Sequence, residues 1–135
     1  MNNSLARYLN QFEWDAWQTG TFRIDQRSTD TINTKIKYKR FVSKIEEILG
    51  TGIDYFMAIE RFKSGYDTHV HSLMRGLKEI PHDVVWALWF EKYGRNVVQE
   101  YDPALGANHY VTKYVSKSLC DWDICINGLR RKTNE

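Results

Sequence analysis

The chain has 135 residues, 42% hydrophobic and 27% charged, with two prolines and eight glycines. That length can bury one core, and the balance excludes a disordered tail or a collagen-like fibre. The formal net charge of +2 and isoelectric point near 8.5 are too mild to name a partner, so any nucleic-acid reading must rest on where the charges sit.

No apolar run approaches the roughly 20 residues of a membrane span. Met1 to Phe12 is polar, unlike a signal peptide. The expectation is an intracellular, cytoplasmic protein with no membrane partner. Lacking repeats and Pro/Ser-rich linkers, residues 1–135 read as one domain that frays from Gly128 to Glu135. Cys120 and Cys125 lack the spacing of a redox or zinc pair and read as packing thiols.

In chain order, Ala16 to Ile24 is rich in β-formers and reads as a first strand, followed by the polar loop Asp25 to Asp30. Ile32, Ile36, Val42, Ile45 and Leu49 then recur at helical spacing up to Gly50-Thr51-Gly52, so Thr31 to Leu49 is an amphipathic helix. Asp54 to Phe62 and Thr68 to Arg75 are strand-like and separated by a polar segment of hairpin length, which predicts antiparallel neighbours. Pro81 suits a helix first turn, and Val84, Val85, Leu88, Trp89 and Tyr93 make an apolar stripe ending at Gly94. Arg95 to Tyr101 is a fourth strand. Asp102-Pro103 opens a third helix running to about Leu119, and Trp122 to Ile126 adds an edge strand. The order predicts an α+β fold, an antiparallel sheet of four to five strands in the split βαβ arrangement of ferredoxins and RNA-recognition modules. Helices pack on one face and leave the other for a site.

His69-Val70-His71 places two imidazoles on one side of a strand, because side chains alternate with period two. Such a pair can share a metal, and it also arises by coincidence on exposed sheet faces. Glu60 is the carboxylate inside the preceding strand, where a charge is costly unless paired, solvated or ligating. It joins the histidines only if paired residue numbers have an odd sum; a slip of one residue turns it away. Two imidazoles and a carboxylate leave positions open on Mg²⁺ or Mn²⁺, suited to polarising a phosphoryl oxygen.

Tyr110 to Lys117 contains two Tyr-x-x-Lys units, Tyr110 with Lys113 and Tyr114 with Lys117. On a helix both tyrosines share a face about 6 Å apart along the axis, with the lysines in an adjoining stripe. A neighbouring ammonium and a polarised phosphate would both favour attack by a phenol; half-buried aromatics with snorkelling lysines would give the same pattern.

With His69-Val70-His71, the upstream Glu60 and the paired Tyr-x-x-Lys helix, the chain resembles the HUH endonucleases. Its nearest likeness within them is to the rolling-circle replication initiators of plasmids and single-stranded-DNA phages. A first-strand motif of that family is similar to Thr19-Gly20-Thr21-Phe22, and the matches span Thr19 to Lys117. The resemblance implies a nickase for single-stranded or cruciform origin DNA, with Glu60, His69 and His71 holding Mg²⁺ or Mn²⁺. It implies Tyr110 or Tyr114 as the nucleophile forming a 5′-phosphotyrosine, and Lys113 and Lys117 as positioning groups. Transposases and transfer relaxases use the same chemistry, and the paired tyrosines favour replication.

Lys35, Lys39 and Arg40 belong to a basic run on the first helix that could track phosphates or form a solvated face. Arg75 and Lys78 follow the histidine strand and also read as DNA-binding, whereas Trp86 and Trp89 read as core. No Walker-type motif occurs, so a host helicase would unwind the DNA and a host polymerase extend it. A non-catalytic single-strand binding module on the same topology is the reading of a different class.

Overall fold

Five strands form one antiparallel sheet in the order β4-β1-β3-β2-β5. The computed structural model describes residues 2–62, 67–106, 109–110 and 119–126, with 2, 3, 119 and 120 described by backbone only. The strands are β1 (Ala16–Gly20), β2 (Asp54–Arg61), β3 (Thr68–Arg75), β4 (Asn96–Glu100) and β5 (Leu119–Cys125). The helices are α1 (Asn2–Leu9), α2 (Thr31–Leu49) and α3 (His82–Lys92). Because β1 and β2 both run against the intervening β3, α2 is the crossover of a split βαβ unit. The segment β3-α3-β4 repeats that arrangement around β1.

On one face, Tyr38, Phe41, Val42 and Ile45 of α2 and Val85 and Trp89 of α3 bury Tyr55, Met57, Ile59, Val70 and Met74 of the sheet. Each large apolar side chain taken out of water there contributes roughly 1.5–3 kcal/mol before entropy is counted. A polar row crosses this core, Ser72 Oγ donating to Gln18 Oε1 at 2.8 Å and Gln18 Nε2 to Asn96 Oδ1 at 2.9 Å. Buried amides are tolerated when satisfied in this way. Helix α2 has the bounds its periodicity predicts. Asp30 caps its first turn by accepting from the Ile32 N–H at 2.8 Å, and Gly50 closes it in the left-handed region at φ 74°. Its buried stripe, however, runs through Thr34, Tyr38, Phe41, Val42 and Ile45, while Ile32 and Ile36 face solvent.

The second sheet face is not left free. Helix α1, absent from the sequence-based expectation, lies in a polar segment whose Leu5, Leu9 and Phe12 still recur at helical spacing. With Trp14 they pack on Phe56, Ala58 and Leu73. Trp14 Nε1 donates to the Leu9 carbonyl at 2.8 Å, tying the helix end to the sheet. Strand β1 stops at Gly20, short of the expected Ile24. Beyond it the Thr21 and Arg23 N–H groups donate to the Arg95 and Tyr93 carbonyls before a 3-10 turn at Ile24–Gln26. Strand β5 begins earlier than expected, at Leu119, through a register shift opposite Ile59 and Glu60. Of the expected third helix, Gly106 and His109–Tyr110 have helical backbone, with Ala104 N–H donating to Asp102 Oδ1 at 2.9 Å. Residues 111–118 and the tail from Gly128 lie outside the described residues.

Gly20 is required by close approach rather than by its torsions. A Cβ there would sit 2.4 Å from Trp89 Cε2 and 2.6 Å from Gln18 Nε2. Trp89 is fully buried and its Nε1 donates to the Thr21 carbonyl at 2.9 Å, so the indole cannot step aside. Gly20→Ala is expected to lower unfolding free energy by about 1–3 kcal/mol through overpacking, read as a reduced midpoint in urea denaturation with an unchanged slope.

Candidate metal centre

The pairing of β2 with β3 sets Glu60 opposite His69 and Ala58 opposite His71, an odd sum, so Glu60, His69 and His71 all emerge on the second face. The Nε2 atoms of both histidines approach one carboxylate oxygen, Glu60 Oε1, at 2.7 Å from His71 and 3.6 Å from His69. The imidazoles meet edge to face with centroids 4.8 Å apart, and one ligand atom from each of the three residues lies within 4.8 Å of the other two. Glu60 is 7% exposed, so its carboxylate is committed to this site rather than to solvent. Among the described residues this is the group that could hold a metal ion.

Burial holds the His69 imidazole below the ordinary histidine range, with Glu60 opposing. It depresses His71 to about 4, the His69 ring adding to the effect and Glu60 again opposing. Both rings are therefore neutral at physiological pH and offer lone pairs, as a metal ligand must. The Thr19 hydroxyl meets His71 Nδ1 at 3.1 Å. This contact orients the ring while Nε2 faces Glu60, the usual role of a hydrogen bond behind a ligating histidine. His69 Nδ1 is buried without a hydrogen-bond partner, and its ring packs on Phe62 at 4.4 Å between centroids. The donor set of two neutral imidazoles and one buried carboxylate fits a divalent cation. Thr19 was legible only as part of a motif; its role follows from the register Thr19 to His71 across β1 and β3.

The other residues singled out in the sequence are dispersed. Tyr110 is on the same face but 4% exposed, its ring stacked on Tyr101 at 4.7 Å and tilted against Trp17 at 6.2 Å. Its hydroxyl accepts from the Asp102 N–H at 3.1 Å. Burial, with the Tyr110 ring and Asp102 adding, pushes the neighbouring Tyr101 phenol up to about 12. Lys113, Tyr114 and Lys117 lie outside the described residues. Lys35 and Lys39 sit on the helical side of the sheet, 2.8 Å from Asp121 and 3.7 Å from Asp123 of β5, clamping α2 to the edge strand. Arg40 is exposed beside the groove between α2 and α3. Arg75 Nε donates to the fully buried Asp54 at 2.8 Å, and its guanidinium covers the Phe12 ring. It lies six residues along β3 from His69, about 20 Å away. Lys78 is exposed beyond that same end.

The model of a family described as replication-associated protein ORF2 matches residues 15–119, well over half the chain. The chain belongs to this family. Membership supports a role in replication initiation, and the match runs from just before β1 to the start of β5, taking in Thr19, Glu60, His69 and His71. Searches of curated proteins and of solved structures returned no match. No helix among the described residues of this replication-associated family member is long and apolar enough to cross a membrane.

The depressed His71 imidazole has a consequence for stability. Its unfolded value is 6.5 and its folded value about 4, so between these the unfolded chain binds the extra proton. Metal-free protein should therefore lose stability as pH falls from about 6.5 through 4. Imidazole NMR titration should place the His71 midpoint near 4; a midpoint at the ordinary 6.5 would contradict the burial argument.

Proposed function

We propose that the chain is a metal-dependent endonuclease that nicks and rejoins single-stranded or cruciform origin DNA, initiating rolling-circle replication in the manner of the HUH endonucleases. The observation that carries the reading is the convergence of His69 and His71 on the Glu60 carboxylate, at 3.6 and 2.7 Å, in a chain of a replication-associated family. Glu60, His69 and His71 would hold the ion. When bound, a divalent cation polarises a phosphoryl oxygen and neutralises charge developing in the transition state. The mixed nitrogen and oxygen set suits Mn²⁺ better than Mg²⁺, which prefers oxygen alone. Thr19 keeps the His71 ring turned toward the carboxylate, and burial keeps both rings deprotonated.

The nucleophile we assign is Tyr114. Tyr110 is packed between Tyr101 and Trp17 with its hydroxyl engaged by the Asp102 N–H. A phenol that holds a loop by its oxygen and supplies core area is poorly placed to turn over. In the proposed step the Tyr114 oxygen attacks phosphorus and the bond from phosphorus to the 3′ oxygen breaks. The 5′ phosphate remains on the tyrosine, and the 3′ oxygen leaves as a hydroxyl, taking up the proton that the phenol gives up. Lys113 and Lys117 lower the cost of the phenolate and position the phosphate. Reversal of the step by a 3′-hydroxyl reseals the strand without ATP, because the phosphotyrosine conserves the energy of the broken diester. A host helicase and polymerase would complete the replication machinery, in the cytoplasm of a cell carrying the virus or plasmid.

Incubation with end-labelled origin-bearing single strands and Mn²⁺ is expected to give a nick and a protein adduct on denaturing gels, both abolished by EDTA. Glu60→Ala and His71→Ala should lose Mn²⁺ binding by calorimetry and lower nick yield by about 100-fold or more. Strand binding that is unaffected by EDTA, with no nick on any origin strand, would leave a binding module instead. Tyr114→Phe should abolish the adduct. Tyr110→Phe should retain it while losing about 1 kcal/mol of stability with the Asp102 hydrogen bond, and the opposite pattern would transfer the role to Tyr110.

A further inference from the structure

Where β1 and β2 end and β3 and β4 begin, a cleft of about 460 Å³ opens at the rim of the sheet, beside the histidines. This is within the range of about 300–1,000 Å³ usual for ligand sites. Phe62, Phe90 and the buried Phe22 line it, together with Arg23, Arg95 and Asp67. Phe62 is continuous with the candidate metal centre, its ring lying on His69 at 4.4 Å. Phe90 stacks on Trp86 at 4.5 Å with only 14° between the planes, and these rings are 44% and 38% exposed. Trp86, expected in the core, is instead an aromatic ledge leading into the cleft. Its Nε1 donates to the Asn96 carbonyl at 2.8 Å, which fixes the ring from behind.

The charge at the rim is positive and held in place. Arg23 donates to the Phe90 and Lys92 carbonyls at the end of α3, at 2.7 and 3.1 Å. Arg95 is exposed and makes no ion pair among the described residues. Asp67, the carboxylate of the lining, lies 3.4 Å from Arg27. Flat exposed rings beside fixed cations, next to a site suited to phosphate, complement an unpaired nucleotide, whose base stacks and whose backbone is anionic. A base inside a duplex is already stacked and cannot enter.

We propose that this cleft seats an unpaired base of the DNA strand adjoining the phosphate held at Glu60, His69 and His71, with Phe62 and Phe90 as stacking surfaces and Arg95 on the backbone. The proposal rests on the single-strand reading given above and adds the residues that hold the flanking nucleotide.

The test is fluorescence anisotropy with a labelled mixed-sequence 20-mer, single-stranded or duplex, in EDTA so that binding is separated from nicking. The single strand should bind in preference to the duplex. Phe62→Ala and Phe90→Ala should each weaken it about 5- to 100-fold, and Phe62→Trp should restore it. Arg95→Ala should lower the slope of log affinity against log salt by about 0.7, one phosphate's share. Phe90 and Arg95 are decisive, because neither touches the histidines. If both variants melt as the wild type does and bind with its affinity and salt slope, the cleft is not the site, whatever the nicking assay shows. Cleft-dependent binding in a protein that never nicks would count against the nickase reading and leave this one standing.

Discussion

Everything at the candidate site depends on one register, the pairing of Glu60 with His69 across β2 and β3. Shifted by one residue, Glu60 would point among Tyr38, Met57 and Val70, an uncompensated charge in a core with no water to solvate it. Polar contacts at both ends of the hairpin oppose that slip. At one end Thr68 Oγ1 donates to the Ser28 carbonyl at 2.8 Å and meets the Thr34 hydroxyl at 2.8 Å. At the other, Arg75 meets its register partner Asp54, fully buried, at 2.8 Å. Removing one partner of such a pair strands a buried charge, so the register is over-determined.

The same alternation that gathers the ligands divides the second sheet face into two regions with different chemistry. Toward one end Phe56, Leu73, Trp17 and Tyr110 build a small core under α1. Toward the other, Ala58 gives way to Glu60, and Leu73 to His71 and His69. The core half supplies rigidity, and Thr19 carries it to the imidazole through β1. A ligand set built on strands between two packed layers is held more tightly than one on loops, as positioning a phosphate for in-line attack requires.

The electrostatics follow the same division. On the helical side, Lys35 and Lys39 are matched by Asp121 and Asp123 at 2.8 and 3.7 Å, so much of the basic run on α2 serves to attach the edge strand. Beside the histidines the cations at the rim, Arg23 and Arg95, stand over aromatic rings instead. A chain of net charge +2 can thus present a local positive field without being basic overall.

The periodicities of Thr31 to Leu49 and of the two strands flanking the hairpin carried most of the fold, because local spacing there agrees with tertiary demand. His69, His71 and Glu60 were legible because a period of two and a single parity condition decide their convergence. The sequence alone therefore determined the split βαβ layout and which three residues could meet. Only the tertiary structure decided that they do, since register is a non-local choice set by the contacts of Thr68 and Arg75. It also decided that Ile32, Ile36 and Trp86 face outward, that α1 covers half of the expected open face, and that Tyr110 is a packing residue. Apolar identity says that a side chain can be buried; which of several apolar residues is buried depends on the shape of the surface brought against it.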